Sequence, residues 1–264
     1  MNNMFMALGG GNEIGASCYF LKLDDNKILL DCGARNNERY YPSFEKLIEE
    51  GIIKNFKEIN AIIISHAHKD HFAALGSIAN LEYSRIISTP KTKKKLFEMT
   101  DILKSKGFFK NETEMFSFKH ILSSIATYGY FEQFSCGDMN IMFVPAGHIE
   151  GAAITVINYK NKKIVYTGDI SFPLSDDENF FDFTMDFIKD CDVLIMENTY
   201  GYYSNKLISS SKHAQFQELL SFIKIVYPKE VFLVHHNDLE SRYDLKDVLN
   251  EEFPTIRVKK IKNK

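Results

Sequence analysis

The stretch Ser65-His66-Ala67-His68-Lys69-Asp70-His71 decides the fold, because it places four possible metal ligands within six residues. It follows the run Ala61–Ile64, which is short, apolar and rich in isoleucine, and such runs are typical of strands buried on both faces. In extended backbone, side chains two positions apart point to the same side, so His66 and His68 can face one ion together. Imidazole nitrogen and carboxylate oxygen are ligands for Zn²⁺, iron and Mn²⁺. The stretch therefore predicts a metal site where a buried strand meets a loop, and a solvated polar loop is the simpler alternative.

Three further candidates stand in the same kind of position, at the end of an apolar strand. His148 follows Val144-Pro145-Ala146-Gly147, Asp169 follows Tyr166-Thr167-Gly168, and His235 ends a run of valine, phenylalanine and leucine. Each alone is more often an ordinary surface residue, but sheet proteins place their sites where strands meet loops. Together with the first stretch they make seven ligands, which is enough for two metal ions that share one carboxylate.

Composition sets the outer limits on the class of protein. The chain has 264 residues, a net charge of −3, 45% hydrophobic residues and 25% charged residues, which excludes a disordered or fibrous protein. The near-neutral charge predicts no overall attraction to nucleic acid, so any affinity for a polyanion must be local. Four cysteines without C-x-x-C spacing, no apolar run long enough to cross a bilayer and no secretory signal lead us to expect a cytoplasmic protein without a membrane partner.

Strand and helix signals alternate along the whole chain, and no repeat or linker interrupts them. Hairpins in both halves with helices outside them predict an α/β fold of two sheets between helical layers. Ser43 is the expected N-cap of a helix whose Phe44, Leu47 and Ile48 share one face. We expect a single domain over 1–264, with a helical insertion around 91–130.

The ligand pattern resembles the metallo-β-lactamase superfamily, whose fold is an αββα sandwich. The resemblance rests on His-x-His-x-Asp-His, a later Gly-His, a Gly-Asp and a histidine at the end of the last strand. It implies a first metal site formed by His66, His68 and His148. It implies a second site formed by Asp70, His71 and His235, with Asp169 bridging both. Two divalent ions are implied, with zinc as the first expectation and manganese as the alternative, and Asp31 in Leu30-Asp31-Cys32-Gly33 would support the ligand loop from behind.

Finer motifs resemble the nuclease branch called β-CASP, which includes RNase J and the endonuclease of mRNA 3′-end processing. They are Leu8–Ser17, Ala146–Ala152, Tyr166–Ser171 and Met196–Gly201. In that branch the acidic residue of the last motif, here Glu197, pairs with a downstream histidine, here His213, which protonates the leaving oxygen.

The chain departs from the β-CASP pattern at two points. The branch's Ser-x-His-x-Asp appears here as Ser211-Lys212-His213-Ala214-Gln215, without the carboxylate. Only 11 residues separate Gly201 from His213, so the large cap domain that normally follows this motif is absent and the layout is similar to that of tRNase Z.

The expected function is a binuclear metal-dependent phosphodiesterase that hydrolyses RNA or single-stranded nucleic acid with a hydroxide held between the two ions. Asp70, Glu197 and His213 are the expected catalytic residues. The alternative is a phosphodiesterase of small cyclic or linear nucleotides, and a thioesterase, lactonase or β-lactamase is the weaker third. A homodimer is also expected. Tyr40-Tyr41 and Tyr202-Tyr203 could stack bases, although packing in the core or rim is the more common role of aromatic residues.

Overall fold

The computed structural model of the protein describes residues 3–35, 42, 44–78, 85–175, 178–202, 213–236 and 244–264. The predicted N-cap Ser43 and the tyrosine pair Tyr40-Tyr41 lie outside these residues, as does Tyr203.

The first sheet has six strands in chain order: β1 (Met4–Gly9), β2 (Cys18–Leu23), β3 (Asn26–Leu30), β4 (Ala61–Ile63), β5 (Ile86–Ser88) and β6 (Ala126–Thr127). The first three are antiparallel, and β3 to β6 are parallel. The carboxyl ends of β3 and β4 therefore lie at one edge, which places Asp31 beside the chain that leaves β4.

The second sheet has seven strands: β7 (Gln133–Cys136), β8 (Met139–Pro145), β9 (Ala153–Tyr159), β10 (Lys162–Tyr166), β11 (Val193–Glu197), β12 (Glu230–Val234) and β13 (Arg257–Lys260). Strands β10 to β13 are parallel, whereas β7 to β10 are antiparallel. The residues that follow β10, β11 and β12 consequently meet at one edge of this sheet.

Seven α-helices accompany the sheets: α1 (Glu45–Glu49), α2 (Lys69–Phe72), α3 (Pro90–Ser105), α4 (Glu112–Ser123), α5 (Glu178–Ile188), α6 (Phe216–Val226) and α7 (Leu245–Glu252) among the described residues. One prediction about α1 is wrong, because Ile48 is 43% exposed although Leu47 is fully buried. A helix of five residues has little more than one turn, so it buries a narrower face than the sequence spacing suggested. No helix among the described residues is long and apolar enough to cross a membrane.

Three apolar clusters hold the layers together. One lies between the two sheets and contains Ile28, Ile63 and Phe143, while the other two cover the outer faces of the sheets under the helices. Strand β4 contributes Ile62 to an outer cluster and Ile63 to the inner one, so both of its faces are buried as predicted. The α/β sandwich of two sheets between helical layers is thereby confirmed.

Candidate metal centre

All seven predicted ligands come together at one edge of the sandwich, and both sheets contribute. His66, His68, Asp70 and His71 lie in or beside the segment that leaves β4 in the first sheet. The others follow β8, β10 and β12 of the second sheet: His148, Asp169 and His235. The site thus spans the seam between the two sheets.

The first group contains His66, His68, His148 and Asp169. Nδ1 of His68 lies 3.0 Å from Nε2 of His66 and 3.0 Å from Nε2 of His148. Oδ2 of Asp169 lies 3.6 Å from Nε2 of His66 and 3.7 Å from Nε2 of His148. A tetrahedral zinc ion with ligand bonds of ~2.0–2.1 Å separates its ligand atoms by ~3.3 Å. The spacing of these four atoms fits one such ion.

The second group contains Asp70, His71 and His235. Nε2 of His235 lies 3.4 Å from Oδ2 of Asp70, and Nε2 of His71 lies 3.3 Å from Oδ1 of Asp169. Asp169 therefore presents Oδ2 to the first group and Oδ1 to the second. Its Oδ1 is buried and makes no hydrogen bond to any described residue, so a bound cation would satisfy it.

The protonation states of these residues also suit metal binding, because metals need neutral imidazole and ionised carboxylate. Burial lowers the pKa of His66 and lowers that of His68 to about 4, with neighbouring histidines adding to both effects. Burial alone raises the pKa of Asp70, but the hydrogen bond to His235 and the charge of His71 more than offset it and lower the value to about 2. Asp70 is consequently ionised and His68 neutral at pH 7.

His71 and His235 differ from the first group. Burial alone lowers the pKa of each, but the carboxylates that face them, Asp169 above all, raise both values. Both rings thus lie against carboxylates, which favour a positive charge at this position.

Asp31 lies behind the ligand loop, where the resemblance predicts it. Its carboxylate accepts hydrogen bonds from the backbone N–H and Oγ of Ser65, both at 2.7 Å, and from Tyr166 Oη at 2.6 Å. It also lies 2.7 Å from Nδ1 of His71, which fixes the proton there and turns Nε2 toward Asp169. The sequence did not reveal the roles of Ser65 and Tyr166, although Ser65 begins the stretch Ser65–His71 and Tyr166 begins the motif Tyr166–Ser171.

Glu197 and His213 form a pair beside the first group. Nδ1 of His213 lies 2.8 Å from Oε2 of Glu197, and the His213 ring lies 4.7 Å from the ring of His148. Burial alone lowers the pKa of His213, but the Glu197 carboxylate more than offsets it and raises the value to about 9. The imidazole is thus protonated at pH 7 and can act as an acid.

Thr199 links this pair to the second metal group, and sequence reasoning did not assign it a role. Its hydroxyl donates to Oε2 of Glu197 at 2.6 Å and lies 2.9 Å from Nδ1 of His235. Since its one proton goes to Glu197, Nδ1 of His235 donates to Thr199, which leaves Nε2 directed at Asp70. The sequence signal that could have pointed to this role is the position of the threonine within the motif Glu197–Gly201.

Comparisons with known proteins agree with this architecture. The sequence profile of the family described as "Anti-Pycsar protein Apyc1" matches residues 11–253. The chain is 30% identical over 210 residues to RNase aCSPSF2 of Saccharolobus solfataricus, a match that covers 78% of this chain and 40% of that protein. The chain spans about half the length of the curated relatives it matches.

Solved structures with low sequence identity share the fold. The metallo-β-lactamase fold protein YhfI from Bacillus subtilis superposes with a TM-score of 0.66 at 19% identity, covering 97% of this chain and 95% of that one. The short form of human tRNase Z superposes with a TM-score of 0.57 at 14% identity, covering 97% and 96%. The metallo-β-lactamase fold that the resemblance implies is therefore confirmed. With the family profile matching nearly its whole length, the chain belongs to the Anti-Pycsar protein Apyc1 family and has the metallo-β-lactamase fold.

Proposed function

We propose that the protein is a metal-dependent phosphodiesterase that binds two divalent ions and hydrolyses RNA or single-stranded nucleic acid. The observation that carries the proposal is the arrangement of seven candidate ligands in two groups with Asp169 beside both, next to a hydrogen-bonded pair of Glu197 and His213. Phosphodiesters need such a site, because charge develops on the nucleophile, the phosphoryl oxygens and the leaving oxygen during the reaction.

The residues fit the proposed ions by donor chemistry and spacing. His66, His68 and His148 would hold one ion, and Asp70, His71 and His235 the other, with Asp169 between them. When bound, such ions polarise phosphoryl oxygens and lower the pKa of water toward neutrality. Zinc is the first expectation because three of the ligands in the first group are imidazoles.

The chain's own residues supply the acid for the leaving group. His213, with a pKa of about 9, carries a proton at pH 7 that it can give to the departing oxygen. Glu197 orients the imidazole, and it is held in turn by the backbone N–H of Ile170, which donates to Oε1 at 2.6 Å. Hydrolysis of a β-lactam or thioester has no need for this separate acid pair, which argues against those substrates.

A small nucleotide is the second candidate substrate. In favour of it, only 11 residues lie between Gly201 and His213, where nucleases with a cap carry a whole domain that clamps RNA. In favour of nucleic acid, the curated relative with 30% identity is named an RNase. The two candidates share the same chemistry and differ in the length of the substrate.

The experiment is a panel of substrates incubated with protein reconstituted with Zn²⁺ or Mn²⁺. The panel contains bis-p-nitrophenyl phosphate, labelled single-stranded RNA, cyclic mononucleotides and nitrocefin. We expect turnover of the phosphodiesters, with RNA cleaved in preference to cyclic mononucleotides, and none by the control variant Asp169→Asn. Cleavage of nitrocefin with no phosphodiester turnover would contradict the proposal, and cleavage of cyclic mononucleotides alone would establish the second candidate.

A further inference from the structure

A cavity of about 220 Å³ adjoins the metal centre on the side of His213. Its wall includes Asn198, Tyr200, Tyr202 and His213. This volume is below the ~300–1,000 Å³ of pockets that enclose a whole drug-sized molecule. It offers room for a single flat ring system next to the proton donor.

Two tyrosines give the cavity an aromatic wall. The ring of Tyr200 lies 6.0 Å from the ring of His213 at an interplanar angle of 75°, and 6.5 Å from the ring of Tyr202. Both tyrosines are half-buried. Their backbones are held by isolated bridges, Tyr200 to Gln215 and Tyr202 to Asp244. An aromatic ring on a fixed backbone is the usual platform on which a nucleobase stacks.

The rest of the wall is polar. Asn198 is 4% exposed, and its Oδ1 makes no hydrogen bond to any described residue. Asp244 and Lys260, which form an ion pair, close another side. An aromatic platform with polar edges matches a nucleobase better than it matches an alkyl or acyl group.

The position of His213 decides which part of a phosphodiester would enter this cavity. In hydrolysis, water adds its oxygen to phosphorus and releases a proton, and the bond from phosphorus to the leaving oxygen breaks. That oxygen takes the proton of His213, and the proton released by water restores the imidazolium. Since His213 is itself part of the wall, the group attached to the leaving oxygen must lie on the cavity's side of the metal centre.

We propose that this cavity is the subsite for the nucleoside on the leaving side, whose base stacks on Tyr200. The inference rests on the proposed phosphodiesterase function and adds the position and the chemical class of the leaving group. It assigns no role to the base on the other side of the phosphate.

Abasic dinucleotides test the subsite by kinetics. One substrate lacks the base of the leaving nucleoside, the other lacks the base of the retained one, and product analysis identifies which is which. We expect kcat/KM of the wild-type protein to fall about ten-fold or more without the leaving-side base, since stacking contributes ~1–3 kcal/mol per base. A fall in kcat/KM only for the substrate that lacks the retained base would overturn the proposed subsite.

Variants of Tyr200 assign the effect to the platform. Tyr200→Phe keeps the ring and should keep the base dependence, whereas Tyr200→Ala should reduce it to about two-fold or less. Tyr227→Ala is the matched control, because Tyr227 is 53% exposed and is the C-cap residue of α6 outside the cavity. A full ten-fold dependence in Tyr200→Ala would contradict the assignment.

Binding of adenosine, followed by protein NMR, separates this inference from the proposed function. We expect the affinity for adenosine to fall at least five-fold in Tyr200→Ala and to be retained in Tyr200→Phe and Tyr227→Ala. If bis-p-nitrophenyl phosphate is not cleaved but this binding pattern holds, the phosphodiesterase proposal fails and the nucleoside site stands. If adenosine binding is independent of Tyr200, the subsite is wrong whatever the activity.

Discussion

Two residues of the metal centre have backbone conformations that residues other than glycine rarely adopt. Asp31 has φ 61° and His235 has φ 54°, both in the left-handed region. Such conformations cost on the order of 1–3 kcal/mol each and persist only where the surroundings impose them. The hydrogen bonds to Asp31 and the bond from the His235 N–H to the Gly10 carbonyl, at 2.6 Å, are those surroundings. The left-handed backbone at these two positions directs both side chains toward the site.

Replacing Asp31 by asparagine tests its role behind the ligands. Asp31→Asn removes the charge that orients His71 and should weaken metal binding about 10–100-fold, the usual effect of losing such a partner. The measurement is a competition titration against a chromophoric chelator. Asp138→Asn, a change at an exposed turn residue, is the control. Equal metal affinity in Asp31→Asn and wild type would contradict the role.

The pKa of His213 predicts how activity depends on pH. His213 must be protonated to act as an acid, so the rate should fall as pH rises through its pKa, which is about 9. Bound cations lower the pKa of His213 and so oppose the effect of Glu197. In the metal-loaded protein, the alkaline fall in rate should therefore occur at or below that pH.

Glu197→Gln removes the carboxylate that raises this pKa, so it should move the limb to lower pH by about one unit or more. The pH profile of kcat for bis-p-nitrophenyl phosphate measures the limb. An unmoved limb in Glu197→Gln would show that another group is titrating.

At the scale of elements, the metal loops depend on close approaches of backbone. A Cβ added at Gly33 would lie 1.6 Å from the carbonyl oxygen of Asp70, so the loop after β3 touches the ligand loop directly. The two loops also exchange backbone hydrogen bonds, including Cys32 N–H to the His71 carbonyl at 2.9 Å. Any side chain at Gly33 must push the ligand loop away.

Gly33→Ala should therefore lower both the thermal midpoint and the metal affinity, and its effect should exceed that of Gly51→Ala. A Cβ at Gly51 meets no atom within 4 Å and costs only the strain of φ 67°, ~1 kcal/mol. Thermal denaturation of both variants, with metal content measured on the same samples, makes the comparison. Equal thermal midpoints in the two variants would mean that the ligand loop moves aside without a loss of stability.

Helix α6 offers a matched pair of isoleucines for testing the outer core. Ile223 is fully buried under the second sheet and Ile225 is 54% exposed on the same helix. Ile223→Ala should cost ~2–5 kcal/mol through lost apolar contact and a new cavity, whereas Ile225→Ala should change stability by less than ~1 kcal/mol. Urea denaturation gives both values, and similar losses of stability in the two variants would contradict this packing.

For the whole molecule, the metal centre joins the two sheets. Ligands from the end of β4 in the first sheet meet ligands that follow β8, β10 and β12 in the second. Ions bound there favour the folded chain alone, because the unfolded chain does not hold the seven groups together. We therefore expect metal occupancy to stabilise the sandwich as a unit.

Removal of metal by a chelator should lower the thermal midpoint by roughly 5–10 °C, if the ion was present at about a hundred times its dissociation constant. The shift should shrink in Asp169→Asn, which loses the shared carboxylate. It should persist in His120→Ala, because His120 is an exposed residue of α4. A chelator effect of the same size in all three proteins would point to metal bound elsewhere.

The sequence alone determined which residues are candidate ligands and most of the fold. The cluster from His66 to His71, the later strand-end ligands and the alternation of apolar runs were sufficient, because residue type and spacing along one strand are local properties. The position of Ile48 on the buried face of α1 was predicted wrongly. The helix is only five residues long, and its length depends on the residues that cap it and the elements that cover it.

Only the tertiary structure decided which atoms meet. The link from Thr199 to both Glu197 and His235, the four contacts of Asp31 and the cavity beside Tyr200 join segments distant in the chain. The two sheets pack together through a shared apolar core, and that packing sets these distances. No single segment contains the information, since each side chain's partner is placed by a different strand.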